Sequence, residues 1–421
     1  MKNKNPFILF EKKTLRMLFL GFSSGLPILL IFSTLSVWLF KAGINRSTVT
    51  LFSWVGFAYA FKYLWSPIVD NFKIPFFEKL GHRRGWLLFT QSMIIISLIA
   101  TSLTNPAQNL ILTVITITFL AFFSATQDVV IDAYRIESAS HKLQGPLSSM
   151  YIAGYRLAML IAGAGSLWLA SYLGNDTYNV YVWQKVYLVM ALLMFVGVIT
   201  TFFSDEPRIK NKKFFDISQH IKLFLVFILA LLGFIILYNF LQNPFNSNKV
   251  FEQFIFSITR IFFCFILAGF IIFLSIRNRF ISKSKTIKIY FDPIKNFIKR
   301  YGKFAFSILI LIALYRIADI VMGVIANIFY LEKGFNIQDI ATYSKFFGVF
   351  ATILGGFLGG FFSLKFGTMK SLFLGAVVAA GSNLLFAWLA LAEANIQFLI
   401  IVITADNISS GFAGTAFVVY L

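Results

Sequence analysis

The chain has 421 residues, of which 58% are hydrophobic and only 13% charged, and Phe alone occurs 53 times. A soluble domain carries about 25% charged residues because its surface faces water, so this composition excludes a water-soluble fold. The single cysteine, Cys264, excludes a disulfide framework or a cysteine metal site, and the net charge of +20 has to be read from where the charges lie.

Crossing a bilayer core of about 30 Å takes roughly 20 apolar residues per helix. The basic start, MKNKNPFILFEKKTLR, has no A-x-A-like cleavage site after its first apolar run and reads as a cytoplasmic tail. Spanning runs then follow at about 17–40, 49–69, 86–103, 109–133, 148–171, 186–203, 223–242, 254–276, 304–330, 342–363, 371–392 and 396–421. Helices are the workable element, because lipid satisfies no backbone polar group and the runs are too continuous for barrel strands. An all-α integral membrane protein is expected.

The linkers between these runs differ sharply in charge. The six that lie on the N-terminal side of the bilayer hold 27 Lys and Arg, and the six on the other side hold five. By the positive-inside rule this places the N-terminus in the cytoplasm and accounts for the net charge without nucleic acid. The stretch from Arg277 to Lys303 reads as an anchor near anionic lipid, with residues 290–302 forming a short surface helix. Three parts are expected: a six-helix half over 1–204, a linker over 205–303 with two extra spans, and a second half over 304–421 with four spans.

The halves repeat weakly in parallel, as in many transporters. LFSWVGFAYAFKYLWSPIVD matches TYSKFFGVFATILGGFLGGF in its rhythm of small residues, and SATQDVVIDAY echoes ITADNISSGFAG, with Asp128 roughly opposite Asp406. Asp70 ends one run while Gly81, Arg83, Arg84 and Gly85 begin the next, an acid facing a basic loop that can latch two helices as halves rock. The second-half counterpart, GGFFSLKFGTMK, has Leu364 where the acid would be.

GFSSGLP (21–27), FKYLWSPIVD (61–70), RRGWLLFTQ (83–91), SATQDVVIDAY (124–134), GYRLAML (154–160), LYRIAD (314–319), YSKFFGVFATILGG (343–356), GSN (381–383) and TADNISSGFAGTAFV (404–418) occur in order. Together they resemble the AmpG-type muropeptide permeases of the major facilitator superfamily. The resemblance implies a proton-driven carrier of anhydromuropeptides from periplasm to cytoplasm in bacterial wall recycling. It also implies six core spans per half, so the second half is expected to lack its last two. A facilitator for another bulky anion such as an acyl-CoA, or a remnant that does not transport, stays open. No cofactor is expected. G-x-x-x-x-G-K-[ST] and H-E-x-x-H do not occur, and His82, His141 and His220 lie in linkers without metal-ligand spacing. An enzyme would need a reactive constellation near one membrane face, and none is found.

A charge inside the membrane costs about 2.5–3.5 kcal/mol on insertion scales, so each one marks a candidate. Asp128 and Asp132, four residues apart, share a helix face, and Asp128 is the deeper. Asp128 is the candidate proton or binding acid, Gln127 a donor and acceptor for sugar or peptide groups, and Asp132 the better fit to a structural partner of a basic residue. Arg156, beside Tyr155, or Arg316, beside Asp319, could hold a substrate carboxylate bidentately. Lys62 and Lys345 are candidates that snorkelling also explains. Asp406 and Asn407 need a polar neighbour, for which Arg316 is named, and Asn383 fits a helix–helix hydrogen bond. Tyr59 could stack on a sugar face, and Gly25 permits close packing or a bend in the first span. Asp70, Arg83 and Arg84 form the candidate cytoplasmic gate.

Overall fold

The computed structural model describes residues 11–138, 143–174, 178–207, 217–241, 250–287 and 292–420, and every regular element among them is a helix. In chain order they are α1 (Lys12–Ile31), α2 (Ser33–Lys41), α3 (Arg46–Leu51), α4 (Phe57–Ala60), α5 (Ser66–Asn71), α6 (His82–Ser102), α7 (Leu110–Ser138), α8 (Gln144–Leu160), α9 (Ser166–Gly174) and α10 (Val180–Phe202). There follow α11 (Ile217–Phe240), α12 (Val250–Arg277), α13 (Lys283–Thr286), α14 (Asp292–Tyr301), α15 (Ala305–Glu332), α16 (Ile337–Asp339), α17 (Gly348–Phe366), α18 (Thr368–Leu391) and α19 (Ile396–Tyr420). Short 3-10 turns at Phe52–Gly56, Lys62–Leu64, Pro75–Leu80 and Gly302–Phe304, and π-helical turns at Ile161–Gly165 and Ile340–Phe347, join neighbouring helices.

Nine helical segments among the described residues are long and apolar enough to cross a membrane. Of the remaining expected spans, α11 keeps a shorter apolar stretch at Leu225–Tyr238, and α15 runs for 28 residues. The run at 49–69 departs from expectation: it is not one helix but a series of short helices and turns. Pro67 explains the restart at Ser66, since proline lacks the N–H that an uninterrupted helix would need and fits its first turn. The basic tail falls mostly on residues 1–10, outside the described residues.

The chain divides into two compact units. One comprises Met1–Ala60, Ile74–Arg208 and Leu311–Leu421, and the other Phe61–Lys73 and Ile209–Ile310. In the second unit, α11 and α12 form a hairpin. The Arg260 guanidinium lies 3.6 Å from the Tyr238 ring centroid, and its Nε donates to the Tyr238 carbonyl at 2.6 Å.

In the first unit, glycines let helices touch backbone to backbone. A side chain at Gly21 or Gly25 would overlap the carbonyl of Tyr151 or Tyr155, so α1 lies directly on α8. Gly355 and Gly411 do the same for α17 and α19. Small residues serve this purpose where lipid supplies no hydrophobic drive between helices. One continuous apolar cluster joins the two halves of this unit, from Trp38, Trp183 and Leu30 to Ile328, Tyr330, Ile340 and Ile403. Trp38 stacks on Trp183 at 6.1 Å, and the Tyr187 hydroxyl donates to the Leu30 carbonyl at 2.7 Å.

Candidate functional site

Two adjacent serines on α1 meet two adjacent polar residues on α7. Gln127 Nε2 donates to Ser23 Oγ at 3.0 Å, and Ser24 Oγ donates to Asp128 Oδ1. Both rungs are buried, with Asp128 8% exposed and Gln127 fully enclosed. Tyr151 on α8 brings its hydroxyl to 2.9 Å from Ser24 Oγ. A serine hydroxyl has one hydrogen, which Asp128 takes, so the Tyr151 hydroxyl is the donor in this second bond. Tyr155 stands one turn further, its ring 6.0 Å from that of Tyr151. One turn before Asp128, Ser124 Oγ accepts from the Tyr59 hydroxyl at 2.9 Å.

The cluster therefore places a carboxylate among three phenols in a membrane-spanning bundle. Such a group can hold a proton or accept hydroxyls from a polar ligand. Gln127 Oε1 and Gln91 Nε2 are buried without a hydrogen-bond partner among the described residues, one an acceptor and one a donor. Gly25 shapes the site by admitting Tyr155 to α1, where any Cβ would lie 2.9 Å from Tyr155 Cα.

Asp132 and Arg156 adjoin this cluster, acting electrostatically on Tyr151 and Tyr155 respectively. Asp132 is paired within its own helix to Arg135 at 3.3 Å. Arg156 is exposed, its guanidinium near the Met159 sulfur at 3.8 Å. Lys62 and Asp70 belong to the second unit. Arg316 and Asp319 fall on α15, but their side chains lie outside the described residues, and so does the expected pairing of Arg316 with Asp406.

In the second half, Asn407 Oδ1 accepts from Thr352 Oγ1 at 3.0 Å, and its Nδ2 donates to the Ile403 carbonyl at 2.9 Å. Asp406 is half-buried and acts electrostatically on Lys345. Lys345 rests its aliphatic stem near Gly163, on the facing π-helical turn of the first half. Asn383 is exposed, and the interhelical bond expected of it is made by its neighbour, Ser382 Oγ to Ser409 Oγ at 2.9 Å.

At the end bearing the Lys/Arg-rich linkers, Arg83 is almost fully buried and donates twice to Glu137, at 2.7 and 2.6 Å. Glu206 accepts from the backbone N–H groups of Arg83 and Arg84 at 2.8 and 3.0 Å. It thereby satisfies orphan donors at the start of α6, where negative charge is favoured. Gly81 makes this possible: its φ of 107° suits glycine, and a Cβ there would lie 2.5 Å from the Glu206 carboxyl. Arg84 donates to the last carbonyls of α10, Thr201 at 3.3 Å and Phe202 at 2.7 Å. Arg16 binds Asp205, and that bond, with the charges of Arg16, Lys13 and Arg84, holds the Asp205 carboxyl below the usual carboxylate range. Arg16, Glu137, Asp205 and Glu206 line a cavity of about 600 Å³ with Lys13, Tyr134 and Ser138. The basic loop expected here is thus engaged by Glu137 and Glu206, two acids that local spacing did not single out.

The opposite end joins the halves. Asn327 on α15 is fully buried and points its Nδ2 at Ser33 O, Ser33 Oγ and Ser36 Oγ, at 3.2, 3.0 and 3.2 Å. Arg46 pairs with Glu332 at 3.2 Å, and Trp168 Nε1 donates to Thr342 Oγ1 at 3.0 Å.

Residues 17–421 match the Major Facilitator Superfamily. The chain belongs to that superfamily. Within it, this facilitator is 30% identical over 402 residues to the Rickettsia conorii protein designated AmpG 4, covering 96% of this chain and 80% of that one. It is 27% identical over 407 residues to the anhydromuropeptide permease of Escherichia coli K12, covering 96% of this chain and 66% of that protein. It is an AmpG-type facilitator, a multi-pass transporter of the inner membrane. Among solved structures, a D-xylose-proton symporter superposes with a TM-score of 0.57 at 12% identity, covering 98% of this chain and 82% of the other. That likeness shows the fold.

Proposed function

We propose that this facilitator imports anhydromuropeptides from periplasm to cytoplasm by proton symport, with its N-terminus in the cytoplasm. The buried Asp128, held by Ser24 among Tyr59, Tyr151 and Tyr155, is the observation that carries this reading. An intramembrane carboxylate of this kind is a proton or ligand site by default. The family relationship to the Escherichia coli anhydromuropeptide permease supplies the substrate class.

In this reading Asp128 takes up the coupling proton and Gln127 and Gln91 offer amide groups to the sugar and peptide. Lys345, Asp406 and Asn407 serve the second half, and Arg156 or Arg316 meets a substrate carboxylate. The six spans of 1–204 and the four of 304–421 act as the moving halves, and 205–303 as an accessory insert. The bonds of Asn327, Arg46 and Trp168 close the outer end, so the substrate path opens to the cytoplasm. Arg83 and Arg84, with Glu137 and Glu206, form the inner latch that rearranges when the halves rock the other way.

Equilibrium binding of radiolabelled anhydromuropeptide to the purified full chain tests the site. Saturable binding that weakens in Asp128→Asn supports it. Binding absent from the unmodified chain, or identical in the variant, overturns it.

A further inference from the structure

The helix α14, in the second unit, has the composition of a helix that lies on a charged surface. Over one helical period, Phe297, Ile298 and Tyr301 fall within a sector of about 100°, while Lys295, Asn296, Lys299 and Arg300 occupy the remainder. That is a two-faced helix of low overall apolarity with cations on its polar face, the pattern of helices that lie in a membrane interface. Its last turn carries Lys299 and Arg300, and Lys303 follows at once.

Its position fits the same role. Only the turn Gly302–Phe304 separates α14 from the start of α15, a helix of 28 residues in the span series. A helix tied so closely to a span has to sit near the bilayer surface. Ile298 is 50% exposed and Phe304 62% exposed. Phe297 packs on the Tyr301 ring at 4.8 Å, and cations flank the aromatics, with Arg300 5.4 Å from Tyr301 and Lys303 5.4 Å from Phe304. Aromatic rings beside guanidinium and ammonium groups match the chemistry of phospholipid headgroups and upper acyl chains. The stretch from Arg277 to Lys303 holds nine Lys and Arg against one acid, Asp292.

We infer that α14 docks on anionic phospholipid of the bilayer that holds the chain, with Phe297, Ile298 and Tyr301 in the acyl boundary and Lys295, Lys299, Arg300 and Lys303 on the headgroups. Each Lys or Arg near such a surface strengthens attachment about fivefold, and the effect falls off within a Debye length. The inference does not depend on what the protein carries.

The test uses the full chain with Cys264→Ser and Ile298→Cys, the new thiol bearing an environment-sensitive fluorophore. The protein is placed in vesicles of phosphatidylcholine alone or of phosphatidylcholine with phosphatidylglycerol. With phosphatidylglycerol the probe is expected to shift to the blue and resist iodide quenching severalfold better, and high salt should reverse both changes. Replacing Lys295, Lys299, Arg300 and Lys303 by Gln should abolish the difference between the two lipids. Equal burial in both vesicles, insensitive to salt, would overturn the inference in favour of packing against protein. Equal exposure to iodide in both would overturn it outright.

Discussion

Asn327 ties the two halves together from a fully buried position. Its amide carries two hydrogens and faces three acceptors on the opposite half, all within 3.2 Å. Asn327→Leu keeps the bulk and removes two bonds, each contributing about 1 kcal/mol net. The end that joins the halves should lose about 2 kcal/mol, which shifts the balance between closed and parted halves about 30-fold. A cysteine at Ala341 reports this, because Ala341 is fully buried in the cluster that joins the halves. In a Cys264→Ser chain, an impermeant maleimide should label Ala341→Cys about 30-fold faster when Asn327 is Leu. Ser382→Ala removes a bond within the second half alone and should leave the rate unchanged. A labelling rate indifferent to Asn327, or raised equally by Ser382→Ala, would show that Asn327 does not hold the halves together.

Other substitutions separate coupling, latch and packing. Asp128→Asn, a near-isostere, should flatten the dependence of uptake on external pH while the protein still reaches the membrane, as pH profiles of transport would record. Arg83→Ala strips Glu137 of its bidentate partner and should cost about 3 kcal/mol, seen as a lower melting temperature in detergent. Gly25→Val forces α1 off α8 and should destabilise the chain by about 3 kcal/mol, in the same assay. Asp205 has its folded pKa depressed by Arg16, so the pair adds stability above the ordinary aspartate pKa of about 3.9 and loses it as pH falls through the lower folded value. Melting curves of Asp205→Asn and the unmodified chain should differ at pH 6 and converge in stronger acid.

Much of the fold could be read from the sequence because bilayer thickness sets the length of an apolar run, and hydropathy measures that length directly. The stretch at 49–69 escaped that rule, since hydropathy counts apolar residues and is blind to the turns at Phe52–Gly56 and Lys62–Leu64. Asp128 and Gln127 were conspicuous because polar groups at depth are costly. Their partners were not. Ser23 and Ser24 are small, and a serine within a helix commonly bonds its own backbone, as Ser23 does to Leu20 at 2.8 Å. Glu137, Glu206 and Asn327 pair over 54, 123 and 294 residues of chain, separations that leave no mark on local spacing. The Ser23–Gln127 and Ser24–Asp128 rungs share one separation of 104 residues, a regularity visible only once α1 and α7 are known to run side by side.

Transport is measured as uptake of labelled anhydromuropeptide by bacteria lacking their own permease. Cells expressing this chain should accumulate the label, and a protonophore should abolish the accumulation. No accumulation, with the protein confirmed in the membrane, would mean that it does not carry anhydromuropeptides.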